Sequence, residues 1–497
     1  MSWKTIWQSF KNKDMRKRIF AVLGMLFIFR VLAHIPIPLA DGETLKQILE
    51  TLFASENRPQ LLSFIDVLSG GALANFSIML VGLGPYINAS IIMQLLTKAI
   101  PKLETLNKEG EYGRKKINQY TRMLALPLAV VQSIGTIFLV RQTASQIGGL
   151  GDITANTSIS QWALMITALT GGAMLLMWLG ELITEEGIGN GISLVITVGI
   201  VSMLPSTITS IVSAIFAEGA QTRLLGFNLP IDTTALLYAS LILATVVTVT
   251  VLVVKLNEAS RQLTIHYAKR VQGNRAYGGV QTTLPIKLIT AGVIPIIFAL
   301  AFLSVPSFAG QLMSSSSNPN IQALGVNLTQ WFQQPTPESF ASGGLQPYIY
   351  PLVYFILVFA FTFFYTNITF NSQEISENLQ KQGGFFAGVR SGKQTEKYLS
   401  RMVNKLTLFG ALSLGALAVF PIILQAFVNT SIALEGTSIL ILVAVALETL
   451  RQIESRALMV TYDQYDQPDF FYDSSEPANA ATGGRRLRFR GRSKIKK

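Results

Sequence analysis

Few residues in this sequence are of the types that do covalent chemistry, and none is spaced for it. Cysteine is absent, which excludes disulfides, thiol catalysis and thiolate-held metals. The two histidines, His34 and His266, offer neither a dyad nor a metal cluster and read as structural residues. Gly388-Val389-Arg390-Ser391-Gly392-Lys393-Gln394-Thr395 approaches a phosphate loop. It is one residue short between its glycines, and Gln394 stands where Ser or Thr would ligate magnesium. Gly187-Ile188-Gly189-Asn190-Gly191 joins two apolar runs, so a tight turn explains it better than a dinucleotide fingerprint does. Glu181, Glu185 and Glu186 read as a solvated helix end. Arg30 and Glu448 lie inside apolar runs, where a charge costs roughly 2.5–3.5 kcal/mol at a helix centre. Two isolated charges make a thin ion pathway, so nothing here specifies an enzyme, and no cofactor is expected.

What the chain does carry is a pattern of apolar residues around backbone breaks. Leu61-Leu62-Ser63-Phe64-Ile65-Asp66-Val67-Leu68 is too short to cross a bilayer, and it breaks at Ser69-Gly70-Gly71. A full apolar run follows, from Ala72 to Thr97, interrupted at Gly82, Gly84 and Pro85. Broken backbone at membrane depth survives only where protein or a water-filled cavity satisfies its polar groups, so this stretch lines something. Leu83 and Ile87, four apart, share a helical face at the break; Ile196 follows the Gly191 turn, and Ile297 follows Pro295. If these aliphatic side chains converge, they form an apolar constriction that blocks ions by dewetting.

The elements that must hold them are membrane helices. Half of the 497 residues are hydrophobic and 14% are charged, a polytopic membrane composition. Windows of about 20 apolar residues give ten spans, near 19–39, 73–97, 123–141, 161–183, 190–214, 232–256, 284–306, 347–370, 404–428 and 437–459. The first follows Lys11, Lys13, Arg16, Lys17 and Arg18 but holds Arg30 and His34 and lacks a small-residue cleavage site, so it reads as a retained span rather than a signal peptide. Lys and Arg number six in 1–18, seven in 98–122, four in 257–283, six in 371–405 and ten in 451–497, against none in 142–160 or 305–346. By the positive-inside rule both termini are cytoplasmic. Five spans, an outside loop and five more spans is the layout of an inverted repeat.

Two basic loops are long and amphiphilic. Residues 261–270 alternate polar with apolar, and Arg390 lies in a glycine-rich turn; both suggest a docking surface. The run 485–497 is polybasic, suited to phosphate or anionic lipid. A solute transporter using Arg30 and Glu448, or a scaffold for ribosomes, would explain parts of this pattern.

Several motifs together resemble one family. They are Ser69-Gly70-Gly71-Ala72-Leu73, Gly84-Pro85-Tyr86-Ile87-Asn88-Ala89-Ser90, Lys108-Glu109-Gly110-Glu111-Tyr112-Gly113-Arg114, Met177-Trp178-Leu179-Gly180-Glu181, Gly187–Ser193, Tyr267-Ala268-Lys269-Arg270, Ala291-Gly292-Val293-Ile294-Pro295, Gly388-Val389-Arg390 and Gly436-Thr437-Ser438. In this order they resemble SecY, the pore-forming family of the bacterial protein-conducting channel. The resemblance implies an all-α integral membrane fold with ten transmembrane helices, in two pseudo-symmetric inverted halves of five around a central hourglass pore. The chain would divide into a cytoplasmic segment 1–18, an N-terminal half 19–214, an extracytoplasmic hinge 215–231, a C-terminal half 232–459 with loops 257–283 and 371–405, and a basic tail 460–497. It implies a pore ring of Leu83, Ile87, Ile196, Ile297 and Ile441. A plug over 61–71 would contain Leu61, Leu62, Phe64, Ile65, Val67, Leu68, Gly70 and Gly71. Spans two and seven would form a lateral gate with Ser90 and Gln94, and Arg261, Lys269, Arg270, Arg275 and Arg390 would contact the ribosome or the motor SecA. The implied partners are the small subunits SecE and SecG, SecA, the ribosome, signal peptides, nascent chains and membrane lipids, in the cytoplasmic (inner) membrane of a bacterium. Where many relatives pair two arginines, this chain has Arg261-Gln262.

Overall fold

A computed structural model describes residues 13–37, 69, 71–72, 76–146, 158–216, 222–224, 227–229, 233–267, 270–272, 275–277, 281–314, 318–335, 339–340, 344–427 and 436–465. The N-terminal part contains α1 (Lys13–Leu32), α2 (Gly84–Ala99), α3 (Pro101–Lys108), α4 (Glu111–Gln146), α5 (Ile159–Glu186) and α6 (Gly191–Ile215). A two-stranded ribbon follows, β1 (Thr222–Leu224) and β2 (Phe227–Leu229). Next come α7 (Thr233–Glu258), β3 (Ser260–Tyr267), β4 (Arg270–Gln272), β5 (Arg275–Tyr277), β6 (Gln281–Lys287), α8 (Ile294–Ser314) and α9 (Pro319–Phe332). The chain continues through α10 (Gln346–Thr369), α11 (Ser372–Lys381), β7 (Gly384–Phe386), α12 (Lys393–Phe427) and α13 (Gly436–Tyr465). The ten expected spans fall in order on α1, α2, α4, α5, α6, α7, α8, α10, α12 and α13. Seven helical stretches among the described residues are long and apolar enough to cross a membrane by length and composition.

Two spans start later than expected, for one physical reason. The second was expected from residue 73, but residues 76–83 fold as turns and the helix begins at Gly84, with Pro85 in its first turn. Proline is favoured there because the first amides of a helix have no intrahelical acceptor. The resulting 16-residue helix rises about 24 Å, short of roughly 30 Å of hydrocarbon. The seventh span was expected from residue 284, yet 281–287 form β6, and α8 starts at Ile294 with Pro295 next. In β6, Ile286 is buried between exposed Pro285 and Lys287, the period of a strand.

Each broken run is held the same way. Before α2, Ile78 N donates to Ile35 O (3.1 Å), Ile37 N donates to Phe76 O (3.0 Å), and Pro36 bridges Ser77. Before α8, Leu288 N donates to Ala259 O (2.9 Å), and Ser260 pairs with Lys287. Each run also rests on a glycine of a neighbouring helix: a Cβ on Gly172 of α5 would strike the Ile78 carbonyl, and one on Gly410 of α12 would come within 2.6 Å of Leu288 O. Only glycine lets backbone approach so closely. The segment leaving span one thus braces the entry to span two, and the segment leaving span six braces the entry to span seven.

The helices α2, α4, α5 and α6 pack in succession, as do α8, α10 and α12, while α7 lies on α13. The two sets meet along two seams, α6 against α7 and α13, and α8 against α2 and α4. A three-stranded antiparallel sheet, β6-β3-β7, stands beside the helices. It joins the loops 257–283 and 371–405 through Ile265–Phe386, His266–Phe385 and Tyr267–Gly384. Leu263, Ile265, Ile286, Leu379, Phe386, Leu399 and Val403 form its separate apolar core.

Candidate functional site

The five residues expected to line a constriction are all buried. Leu83 is 0% exposed, Ile87 3%, Ile196 1%, Ile297 6% and Ile441 3%, and all belong to one apolar cluster that draws on both sets of helices. Their positions repeat. Ile87 is the fourth residue of α2 and Ile297 the fourth of α8, each just past its Pro-containing start; Ile196 is the sixth of α6 and Ile441 the sixth of α13. Leu83 caps the start of α2. An aliphatic cluster of this kind binds no ion and favours no particular side chain, so chemically it can only exclude.

Backbone breaks fix the depth of these residues. Gly71, Gly82 and Gly292 take positive φ (80°, 62° and 62°), as does Phe76 (44°), conformations that a side-chain-bearing residue adopts at a cost. The run before α2 is satisfied internally: Leu80 N donates to Ser77 O, Gly82 N to Met79 O, and Met79 N to Ser77 Oγ (2.9 Å each). Buried turns with paired amides are tolerated at membrane depth because protein surrounds them.

Of the residues expected in a plug, Leu61, Leu62, Phe64, Ile65, Val67, Leu68 and Gly70 lie outside the described residues. Gly71 is described, and a Cβ there would sit 3.3 Å from Ser202 Oγ on α6 and 3.9 Å from Arg30 Nη1 on α1. Of the two expected gate residues, Gln94 donates through Nε2 to Ser90 Oγ (3.1 Å), within α2. Its Oε1 is buried with no partner among the described residues, an omission worth about 1–3 kcal/mol.

The expected docking residues divide. Arg261 on β3 and Arg390 after β7 are exposed, and β3–β7 pairing puts their strands in one sheet. Arg390 holds its turn through its carbonyl, which accepts from Thr395 Oγ1 (3.0 Å). Arg270 and Arg275 are on paired strands β4 and β5; Lys269 lies outside the described residues. The segment that resembled a phosphate loop is the entry to α12, with Ser376 Oγ donating to Gly392 O (2.9 Å).

Among the ionic pairs that sequence reasoning missed, one is largely covered. Glu181 is no solvated helix end: its side chain is 12% exposed and takes Arg122 in a fork, Nη2–Oε2 2.7 Å and Nε–Oε1 2.9 Å. Tyr86 of α2 packs against the apolar cluster of Ala89, Ala125 and Met177 beside it. The apolar neighbours of Glu181 and the cationic Arg122 were signals, but 59 residues separate the partners. The two charges weighed as a transport pair lie near different turns, Arg30 within 3.9 Å of a Cβ at Gly71 and Glu448 within 3.7 Å of a Cβ at Gly292. The histidines are structural: His34 Nδ1 contacts Arg30 O (2.7 Å), and the His266 ring lies 5.9 Å from that of Phe385.

A family model described as SecY matches residues 77–450, from the broken entry of α2 to α13. The chain belongs to the SecY family. It is 37% identical over 462 residues to the protein translocase subunit SecY of Streptomyces scabiei, covering 92% of this chain and 98% of that one. Its identity to the Thermotoga maritima protein of the same name is 37% over 465 residues, covering 93% and 98%. Among solved structures, one described as a protein conducting channel superposes with a TM-score of 0.60 at 16% identity, over 90% of this chain and 94% of that one. Sec61 in the canine ribosome-channel complex from the endoplasmic reticulum gives 0.55 at 16%, again over 90% and 94%. The overall architecture is that of SecY and Sec61 channels, and this chain is a multi-pass membrane protein, a channel subunit of a translocase rather than an enzyme.

Proposed function

We propose that this chain forms the central pore of the Sec translocon in a bacterial cytoplasmic membrane, with both termini in the cytoplasm. It passes unfolded polypeptide across the bilayer and releases apolar helices sideways into it. The observation that carries this reading is the burial of Leu83, Ile87, Ile196, Ile297 and Ile441 in one cluster at the starts of broken or glycine-led helices. Uncharged, flexible side chains there close around many passing sequences while opposing ions. The segment 61–71 acts as a plug on the extracytoplasmic side. The helices divide into halves of 19–214 and 232–459, hinged at 215–231, and α2 parts from α8 to open the gate at Ser90 and Gln94.

Among the described residues none forms a nucleotide or ion-gradient site that could drive transport, and the work is supplied by a partner. Arg261 on β3 and Arg390 just past β7, both exposed, favour docking of the ribosome or SecA, with Lys269, Arg270 and Arg275 as further contacts. Leu237, Leu243 and Val247 of α7 are exposed, a face for lipid or for small subunits such as SecE and SecG. A signal helix shifts the channel towards its open state by its differential affinity for that state. The test is conductance in planar bilayers: Ile87→Ser and Ile297→Ser each raise resting ion leak, and parental conductance in both would remove the constriction from the account.

A further inference from the structure

One half-buried carboxylate on α13, Glu448, has no part in the constriction as described so far. It stands seven residues beyond Ile441 on the same helix. Seven residues are close to two full turns, so Glu448 shares the face of that residue, roughly 10 Å further along the axis. Its carboxylate also reaches the turn beneath a second residue of the cluster: Oε2 is 3.7 Å from the Cβ position on Gly292, five residues before Ile297. With the C-terminus in the cytoplasm, α13 runs inward, and Glu448 sits on the cytoplasmic side of the constriction.

The surroundings of Glu448 leave its charge unanswered. Where Glu181 takes both arms of Arg122, no Lys or Arg among the described residues closes an ion pair with Glu448. Lys287 of β6 acts on it electrostatically without such a contact, and Arg451 gives Nη2 to Asn257 O instead (2.9 Å). Gln452 Nε2 reaches Glu448 Oε1 at a long 3.5 Å, while Oε1 of the same amide accepts from Gly189 N (2.8 Å). Gln452 thus steadies the carboxylate without neutralising it. A charge at membrane depth is costly and is usually retained for function.

From this we infer that Glu448 is a holding site for cationic side chains of the passing polypeptide, and that it slows lysine- and arginine-bearing segments just before the constriction. A lysine held there is stabilised in front of the barrier, roughly 10 Å short of the aliphatic ring that has to be crossed. Stabilising the state before a barrier, and not the barrier itself, lowers the rate. Neutral segments gain nothing at Glu448, so this residue determines which sequences pass quickly. Lys287 opposes the effect, because it competes for the carboxylate and repels the incoming cation. The inference rests on the pore and the orientation proposed above.

The test uses vesicles carrying the assembled complex and one precursor in three forms, with a cluster of neighbouring mature-region positions all Lys, all Gln or all Glu and the signal unchanged. The readout is the ratio of Lys-form to Gln-form import rate, which is internal to each vesicle batch and independent of how much channel has assembled. Glu448→Gln raises this ratio on the order of fivefold, the effect of a unit-charge contact at about 4 Å in water, and the gain shrinks as salt is raised. Glu448→Asp, which keeps the charge, stays near the parent, and Lys287→Gln lowers the ratio. Glu448→Lys transfers the delay to the Glu form, a reversal that loss of packing alone does not produce. A photoreactive residue at position 87 in the Glu448→Gln background separates this inference from the pore beneath it. Capture of the stalled precursor with an unchanged Lys-to-Gln ratio would overturn the holding site and leave the pore standing. Failure to capture any form would overturn the pore, and the holding site with it.

Discussion

Adjacent glycines on α5 allow one test of how the broken second span is held. Gly171 has no atom within 4 Å of an added Cβ, whereas on Gly172 the Cβ would overlap the Ile78 carbonyl oxygen and lie 2.7 Å from its carbon and 3.4 Å from Met79 N. Both struck groups are backbone, so no side chain can swing aside, and α5 and the run 76–83 would have to separate. Overpacking of this kind costs about 1–3 kcal/mol, and loosening the Ile78–Ile35 hydrogen bond adds about 1 kcal/mol. Alanine returns about 1 kcal/mol of helix propensity at either position. Gly172→Ala is therefore destabilising by about 1–3 kcal/mol, while Gly171→Ala is neutral or stabilising by about 1 kcal/mol. Thermal unfolding of the detergent-solubilised complex should place Gly171→Ala at or above the parent and Gly172→Ala several degrees below it. Because the displaced run ends at Leu83, resting ion leak should rise in the second variant only. Equal melting temperatures for the two alanines would refute the argument that the run is clamped on Gly172.

The same reasoning applies to the other set of helices: Gly410→Ala, with Leu288 O 2.6 Å from the new Cβ, should also lower the unfolding temperature, and a rise would contradict the repeated clamp. Arg122→Leu leaves the largely covered Glu181 without its fork. With Arg122 itself 44% exposed, the cost is about 1–3 kcal/mol; Glu181→Gln in that background should recover most of the loss in a denaturation series, and further loss would speak against the pair. Arg390→Glu should slow precursor import driven by SecA or by the ribosome while the variant still inserts and assembles. Normal import into vesicles carrying it would remove Arg390 from the docking surface.

Much of this was legible in sequence because membrane helices and their breaks leave local marks. Apolar runs gave ten spans in order, and Gly82, Gly84 and Pro85 marked where the second would break. Ile87 and Ile297 could be singled out because each stands two residues beyond a proline. What escaped depended on partners distant in the chain. The alternation in 261–270 was read as a surface, since nothing local says that β3 pairs with both β6 and β7. The entry to α8 was placed ten residues early because Leu284, Ile286 and Leu288 are as apolar in a strand and turn as in a helix. Glu181 looked solvated until Arg122 was found beside it. Gly172 and Gly410 look like ordinary helix glycines until the carbonyl that fills the missing side chain's space is seen.

The claim beneath all the rest is that polypeptide passes through the cluster holding Ile87 and Ile297, and site-specific photocrosslinking to a stalled precursor tests it most directly. With the photoreactive residue at position 87 or 297 the channel should capture the translocating segment, whereas at Phe20 of α1 or Leu243 of α7, 64% and 65% exposed, it should label lipid or a small subunit and not the precursor. Capture at 20 or 243 with none at 87 and 297 would mean that the chain crosses elsewhere.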